Sequence, residues 1–128
     1  MSKKFSVEII SPDRSILKTQ ASEVTIPSYE GEIGILTDHI PIITFLRPGL
    51  VKIQEDTQKI YYIEEGTVEF SNNNLLILTS TARKLSDLDK RLLSQEISEA
   101  QQKISGSEIS DKQRYLLSYK IETLKNIN

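Results

Sequence analysis

The chain has 128 residues, 38 % of them apolar, and a net charge of −2 with acidic and basic side chains interleaved throughout. That suits one domain with an appendage, and no basic face is present to suit a nucleic-acid partner. With no cysteine, a disulfide framework, a thiol nucleophile and a thiolate zinc site are excluded.

The chain starts with two lysines, Lys3 and Lys4, and no apolar run behind them, so no secretory signal is expected. No apolar stretch approaches the ~20 residues that span a bilayer. The chain is therefore expected to be soluble, or to meet a membrane only through a partner. Residues 5–9 alternate apolar and polar, the pattern of a half-buried strand. Ser11, Pro12, Asp13 and Arg14 form a turn signal. Residues 15–18 and 24–26 read as the next two strands. Residues 26–49 hold three of the four prolines, three of the five glycines and the only histidine. Gly permits φ > 0 and Pro fixes φ near −65°, so this stretch reads as very short strands joined by tight corners. Residues 50–54, 59–64 and 66–70 alternate again, with a polar hairpin loop at Glu55, Asp56 and Thr57. Asn72, Asn73 and Asn74 mark another turn. Leu75, Leu76, Ile77 and Leu78 form a continuous apolar run, the pattern of a strand buried on both faces. Many short strands with frequent turns predict a sandwich or barrel.

The period changes after Leu85. Ser86 and Asp89 fit a capping box. Leu85, Leu88 and Leu92, then Leu93, Ile97, Ala100 and Ile104, form one apolar stripe. Gly106 stands where a helix C-cap glycine belongs. Ser110 and Gln113 give a second capping box, followed by Leu117, Ile121 and Leu124 at helical spacing. Two helices are predicted, over 86–105 and 111–126, and their short loop favours an antiparallel hairpin. Two narrow stripes bury little on each other, so the hairpin must lean on the β domain or on a partner.

Chemistry-bearing residues are few. His39 has only its neighbour Asp38 as an orienting carboxylate, and strand neighbours point to opposite faces. Glu30 and Glu32 flank Gly31 and, if extended, share a face as a carboxylate pair would; an acidic surface loop needs no more than that. One reading is thus a small hydrolase or free-standing binding module using Glu30, Glu32 and His39. The other is a non-catalytic protein that works by contact.

Residues 30–49 read E-G-E-I-G-I-L-x-x-H-x-P-x-x-T-x-L-x-P-G. This run resembles the signature of the epsilon subunit of F-type ATP synthases, called delta in mitochondria. Residues 62–70 resemble the family's y-x-x-G-G-x-x-E-V segment, and residues 75–79 its v-t-V-L-a strand. The resemblance covers essentially the whole chain. It implies a flattened β-sandwich of about ten short strands over 1–84 and a two-helix hairpin over 85–128. It implies a rotor subunit of the central stalk, not an enzyme, that joins the gamma subunit to the c-ring and couples ion-driven rotation to ATP synthesis. The hairpin would move between compact and extended states, the extended one inhibiting ATP hydrolysis through the catalytic alpha and beta subunits. Location would be peripheral, on the cytoplasmic face of a bacterial inner membrane or the matching organelle face.

By the same resemblance, Ser28, Tyr29, Glu30, Gly31 and Glu32 would meet the c-ring. His39, Ile40, Pro41 and Thr44 would face gamma. Lys112, Arg114 and Lys120 would be available to an acidic segment of the beta subunit. Three departures stand out: Thr37 and Asp38 replace the family's Pro-Gly, Glu65 and Gly66 replace its Gly-Gly, and its ATP-binding I/L-D-x-x-R-A pattern has Leu92 at the Arg position. Arg91 is one residue early, about 100° around a helix. No cofactor is expected, and ATP binding by the hairpin is expected to be weak or absent.

Overall fold

A computed structural model describes residues 3–127. Ten strands curl into one sheet whose inner surface is the core. They are β1 (Phe5–Ile10), β2 (Ser15–Ala21), β3 (Glu23–Ser28), β4 (Gly31–Leu36), β5 (Ile42–Leu46), β6 (Gly49–Gln54), β7 (Lys59–Ile63), β8 (Gly66–Ser71), β9 (Asn74–Leu78) and β10 (Arg83–Lys84). The spatial order is β10-β7-β6-β3-β5-β8-β9-β1-β2, with β4 paired to β3 alone. All pairings are antiparallel except β1 with β9. Alternate residues point inward, as a half-buried sheet requires. Phe5, Val7 and Ile9 of β1 meet Phe70, Leu75 and Ile77 in the same buried cluster.

The sandwich and the two-helix tail are as the sequence predicts, but three local expectations are corrected. The strand covered on both faces is β7, not the 75–79 run. Tyr61, Tyr62 and Ile63 are all buried, whereas Leu78 is 45 % exposed and only Leu75 and Ile77 of β9 enter the core. Tyr61 and Ile63 line the inner core, and Tyr62 faces outward under the helices.

The first helix starts later than its Ser86 capping box suggests. Leu85–Asp87 make a 3-10 turn, and α1 runs Lys90–Ile104 with Asp89 as N-cap, accepting from the Leu92 N–H. The reason is hydrophobic: Leu88, only 7 % exposed, is pulled onto Tyr62, which the 3-10 turn allows. The last correction is at Gly106, which does not adopt positive φ; the C-cap is Ser105. The second helix, α2 (Asp111–Lys125), has both halves of its capping box, Ser110 with Gln113.

The hairpin lies on the outer face of β6 and β7. Leu50 and Tyr62, opposite one another in register, pack under Leu88, Leu93 and Leu124. Only Leu93 and Ala100 of α1 and Leu124 of α2 are buried.

Candidate functional site

The β3–β4 connection is a two-residue turn, with Ser28 opposite Gly31 and Tyr29 and Glu30 at its tip. Gly31 takes φ +119°, a conformation that favours glycine. Glu30 and Glu32 are therefore not on one extended segment, and the carboxylate-pair geometry does not form. Ser28 is fully buried; its Oγ donates to the Gly31 carbonyl (2.8 Å) and accepts from the Glu30 N–H (3.1 Å). Its side chain builds the turn, while Tyr29, Glu30 and Glu32 are exposed.

The β4–β5 corner carries His39. A turn is closed by the His39 N–H on the Leu36 carbonyl (3.1 Å), so His39 and Asp38 are not strand neighbours. Asp38 takes φ +68°. Two bonds with Asn73 hold it: the Asp38 N–H donates to Asn73 Oδ1 (2.7 Å), and Asn73 Nδ2 donates to Asp38 Oδ1 (2.8 Å). His39 Nδ1 donates to the Ile40 carbonyl (2.6 Å), and its ring stands edge-on to Phe70. Ile40 is 74 % exposed, and Pro41 is exposed too. Thr44 is buried and points inward.

Thr44's neighbours are the residues that sequence reasoning missed. Ile43 and Phe45 project outward from β5, at 72 % and 62 % exposure. Phe45 pairs with Thr67 and Thr67 with Leu78, so Phe45 and Leu78 share one row across three strands. Together with Leu36, Ile40 and Tyr29 they make the exposed large-apolar side chains of the described residues. The signal was present: β5 reads I-I-T-F-L, with its one polar residue at an inward position. A soluble-facing strand places its polar residues the other way.

Of the three hairpin cations singled out in the sequence, Lys120 and Arg114 are engaged and Lys112 is not, among the described residues. Arg83 of β10 forks onto Glu96 of α1 at 2.6 and 2.8 Å. Lys120 of α2 reaches Glu64 at 2.7 Å and Glu96 at 3.7 Å. Tyr62 donates to Glu64 (2.9 Å) and lies beneath Arg83. The Arg83 hydrogen bonds hold the Glu96 carboxyl below the usual carboxylate range, against a smaller opposing effect of burial. Burial, with the Glu64 charge beside it, pushes the Tyr62 phenol well above its usual value. Arg114 donates to the Ile104 carbonyl (2.7 Å), tying α2 to the end of α1. Lys112 is exposed and borders a groove with Tyr29, Phe45 and Leu78.

The structure does not bring Glu30, Glu32 and His39 together. The acids lie at one end of β4 and the histidine beyond the other, a span of roughly 20 Å at ~3.3 Å per residue.

Comparisons with known proteins agree with this arrangement. The family described as ATP synthase, Delta/Epsilon chain, beta-sandwich domain matches residues 4–85. The ATP synthase epsilon chain of Pelagibacter ubique is 45 % identical over all of this chain and all of its own length. That of Parvibaculum lavamentivorans is 30 % identical over 99 % of this chain and 97 % of its own. Among solved structures, a chain of the Euglena gracilis mitochondrial ATP synthase (OSCP/F1/c-ring) has a TM-score of 0.77 at 22 % identity. The match covers 95 % of this chain and 78 % of that one. A chain of the Tetrahymena thermophila mitochondrial ATP synthase, central stalk and c-ring, has a TM-score of 0.65 at 14 % identity over 97 % and 96 % of the two chains. At those identities the structural likeness shows the fold; the sequence matches go further, and by them this chain belongs to the ATP synthase delta/epsilon chain family.

Proposed function

We propose that the chain is a non-catalytic rotor subunit of the central stalk, whose sandwich joins gamma to the c-ring and so carries ion-driven rotation toward ATP synthesis. The observation that carries this reading is the uncovered apolar face of β5 and β9. Phe45, Ile43 and Leu78, continued by Ile40 at the corner, form the kind of exposed apolar patch that marks a partner site. Gamma is the partner assigned to it, with His39 and Pro41 at its edge. The acidic tip, Glu30 and Glu32 beside Tyr29, is assigned to the c-ring loops.

The hairpin is the regulatory part. In the docked state Lys120 is held by Glu64 and Glu96, so release of the hairpin frees it, with Lys112 and Arg114, for an acidic segment of the catalytic beta subunit. Inhibition of ATP hydrolysis belongs to that released state. ATP binding by the hairpin is weak or absent: Leu92 packs beside Tyr62 where the family's motif has Arg, and Arg91 points to solvent. No cofactor is assigned. No helix among the described residues is long and apolar enough to cross a membrane, and the chain is placed at the membrane through its partners, on the cytoplasmic or equivalent face.

The test is binding of the full chain to its gamma subunit. Phe45→Asp is expected to weaken binding at least ~30-fold, since central anchors carry about 2 kcal/mol or more, with little change in melting temperature because Phe45 is 62 % exposed and lies outside the buried core. Unchanged gamma affinity would remove this face from the interface.

A further inference from the structure

The tip turn also touches α2. The Tyr29 ring stands edge-on to Tyr115 at 5.7 Å, and the Tyr115 hydroxyl donates to the Tyr29 carbonyl at 3.4 Å. Arg47 adds a second grip. Its guanidinium lies 3.8 Å from the centre of the Tyr119 ring, and its Nη1 donates to the Tyr115 hydroxyl at 3.0 Å. Tyr115 and Tyr119, one turn apart on α2, pack edge-on to each other at 4.9 Å. The sheet side of this cluster is braced by backbone bonds. The Tyr29 N–H donates to the Phe45 carbonyl (3.1 Å), and the Arg47 N–H to the Pro27 carbonyl (3.0 Å). A fixed half on the sandwich thus grips a half carried by a helix that buries only Leu124.

We propose that Tyr29 and Arg47 form a clasp on Tyr115 and Tyr119 that sets how firmly α2 is docked.

The clasp is intramolecular and is judged on the full chain alone, by amide hydrogen exchange. Tyr29→Ala and Arg47→Met are each expected to speed exchange in α2 about tenfold, the size of an aromatic pair or a cation–π contact, while sheet amides exchange as before. Tyr115→Phe, which keeps the ring and loses only the hydroxyl, gives a smaller change in the same helix. Unchanged α2 exchange in Arg47→Met and Tyr29→Ala overturns the clasp, as does an equal rise in the sheet, which would mark general destabilisation.

Discussion

Replacing Glu96 by Gln should loosen the hairpin without disturbing the sandwich. Glu96 is where α1 meets both β10 and α2: it takes two short bonds from Arg83 and lies 3.7 Å from Lys120. Gln is nearly isosteric and keeps one acceptor, so what is lost is charge. Hydrogen bonds to a charged group contribute about 1.5–3 kcal/mol. Arg83 keeps 34 % of its side-chain surface exposed, and screening places the loss at the low end, about 1.5 kcal/mol. That is roughly a tenfold rise in the undocked population. Undocked, helices with so little buried surface fray, and the peptide bond after Lys120 becomes open to trypsin. Cleavage there tracks the open population when opening is fast. Mass spectrometry of a trypsin time course should show cleavage after Lys120 rising about tenfold in Glu96→Gln, with cleavage after Lys52 of β6 unchanged. The wild type should also approach the variant on acidification, probed with an acid-active protease. Arg83 hydrogen bonding holds the folded Glu96 carboxyl below its ordinary 4.5. A carboxylate with a lowered folded pKa contributes stability that is complete above its unfolded value and lost as pH falls through the folded one. Docking is thus expected to weaken only below about pH 4.5, and by less in Glu96→Gln, where the Lys120–Glu64 pair is the acid-sensitive contact that remains. Equal cleavage of both chains at pH 7, or a parallel rise after Lys52, would refute the assignment of this network to docking.

The opposite pH limb belongs to Tyr62, whose phenol burial and Glu64 push upward from its usual 10.0. A raised folded pKa gives stability that is whole below pH 10 and lost as pH rises above it, so an alkaline melting series should fall more steeply for the wild type than for Tyr62→Phe, which loses about 1 kcal/mol at neutral pH with its hydrogen bond. Gly66→Ala tests the sheet itself: a Cβ there would stand 2.5 Å from the Leu78 carbonyl oxygen and 3.0 Å from Thr79 Cβ. A clash with backbone leaves little room to relax, and urea unfolding should show a loss of about 2–3 kcal/mol.

The sandwich was legible because its signals are local. Alternation, the Ser11–Arg14 turn and the Asn72–Asn73 turn, where both residues take positive φ, each specify a strand or a reversal within a few residues. The capping box at Ser110 is local too, and it forms as read. The box at Ser86 fails because Leu88 answers to Tyr62, 26 positions away in the chain, and burial of a leucine outweighs a cap. The doubly covered strand was misassigned for the same reason. Nothing in the apolar run of β9 tells whether a second layer covers it, whereas β7 is covered only because two distant helices settle there. Of the site residues, Tyr29, Glu30, Glu32 and Ile40 stand at the surface, while Ser28 and Thr44 point inward. Motif likeness marks a stretch of chain; it does not mark which side chains of that stretch look outward.

The two outward faces of the sheet divide the labour of the molecule. On β6 and β7 an outward Leu50 and Tyr62 are covered by the chain's own helices, through a small apolar contact reinforced by charge. On β5 and β9 an outward Ile43, Phe45 and Leu78 are left bare. The first contact is small enough to break and is tunable, because removing one carboxylate or one guanidinium alters it without touching the inner core. The second lies outside the buried core, so substitutions there should cost the fold little. Between them stands the Tyr29 turn, touching α2 on one side and the bare face on the other. The proposed roles, a fixed attachment and a releasable hairpin, need that separation: substitutions at Phe45 should change what the chain binds, and substitutions at Glu96 or Arg47 should change when the hairpin lets go.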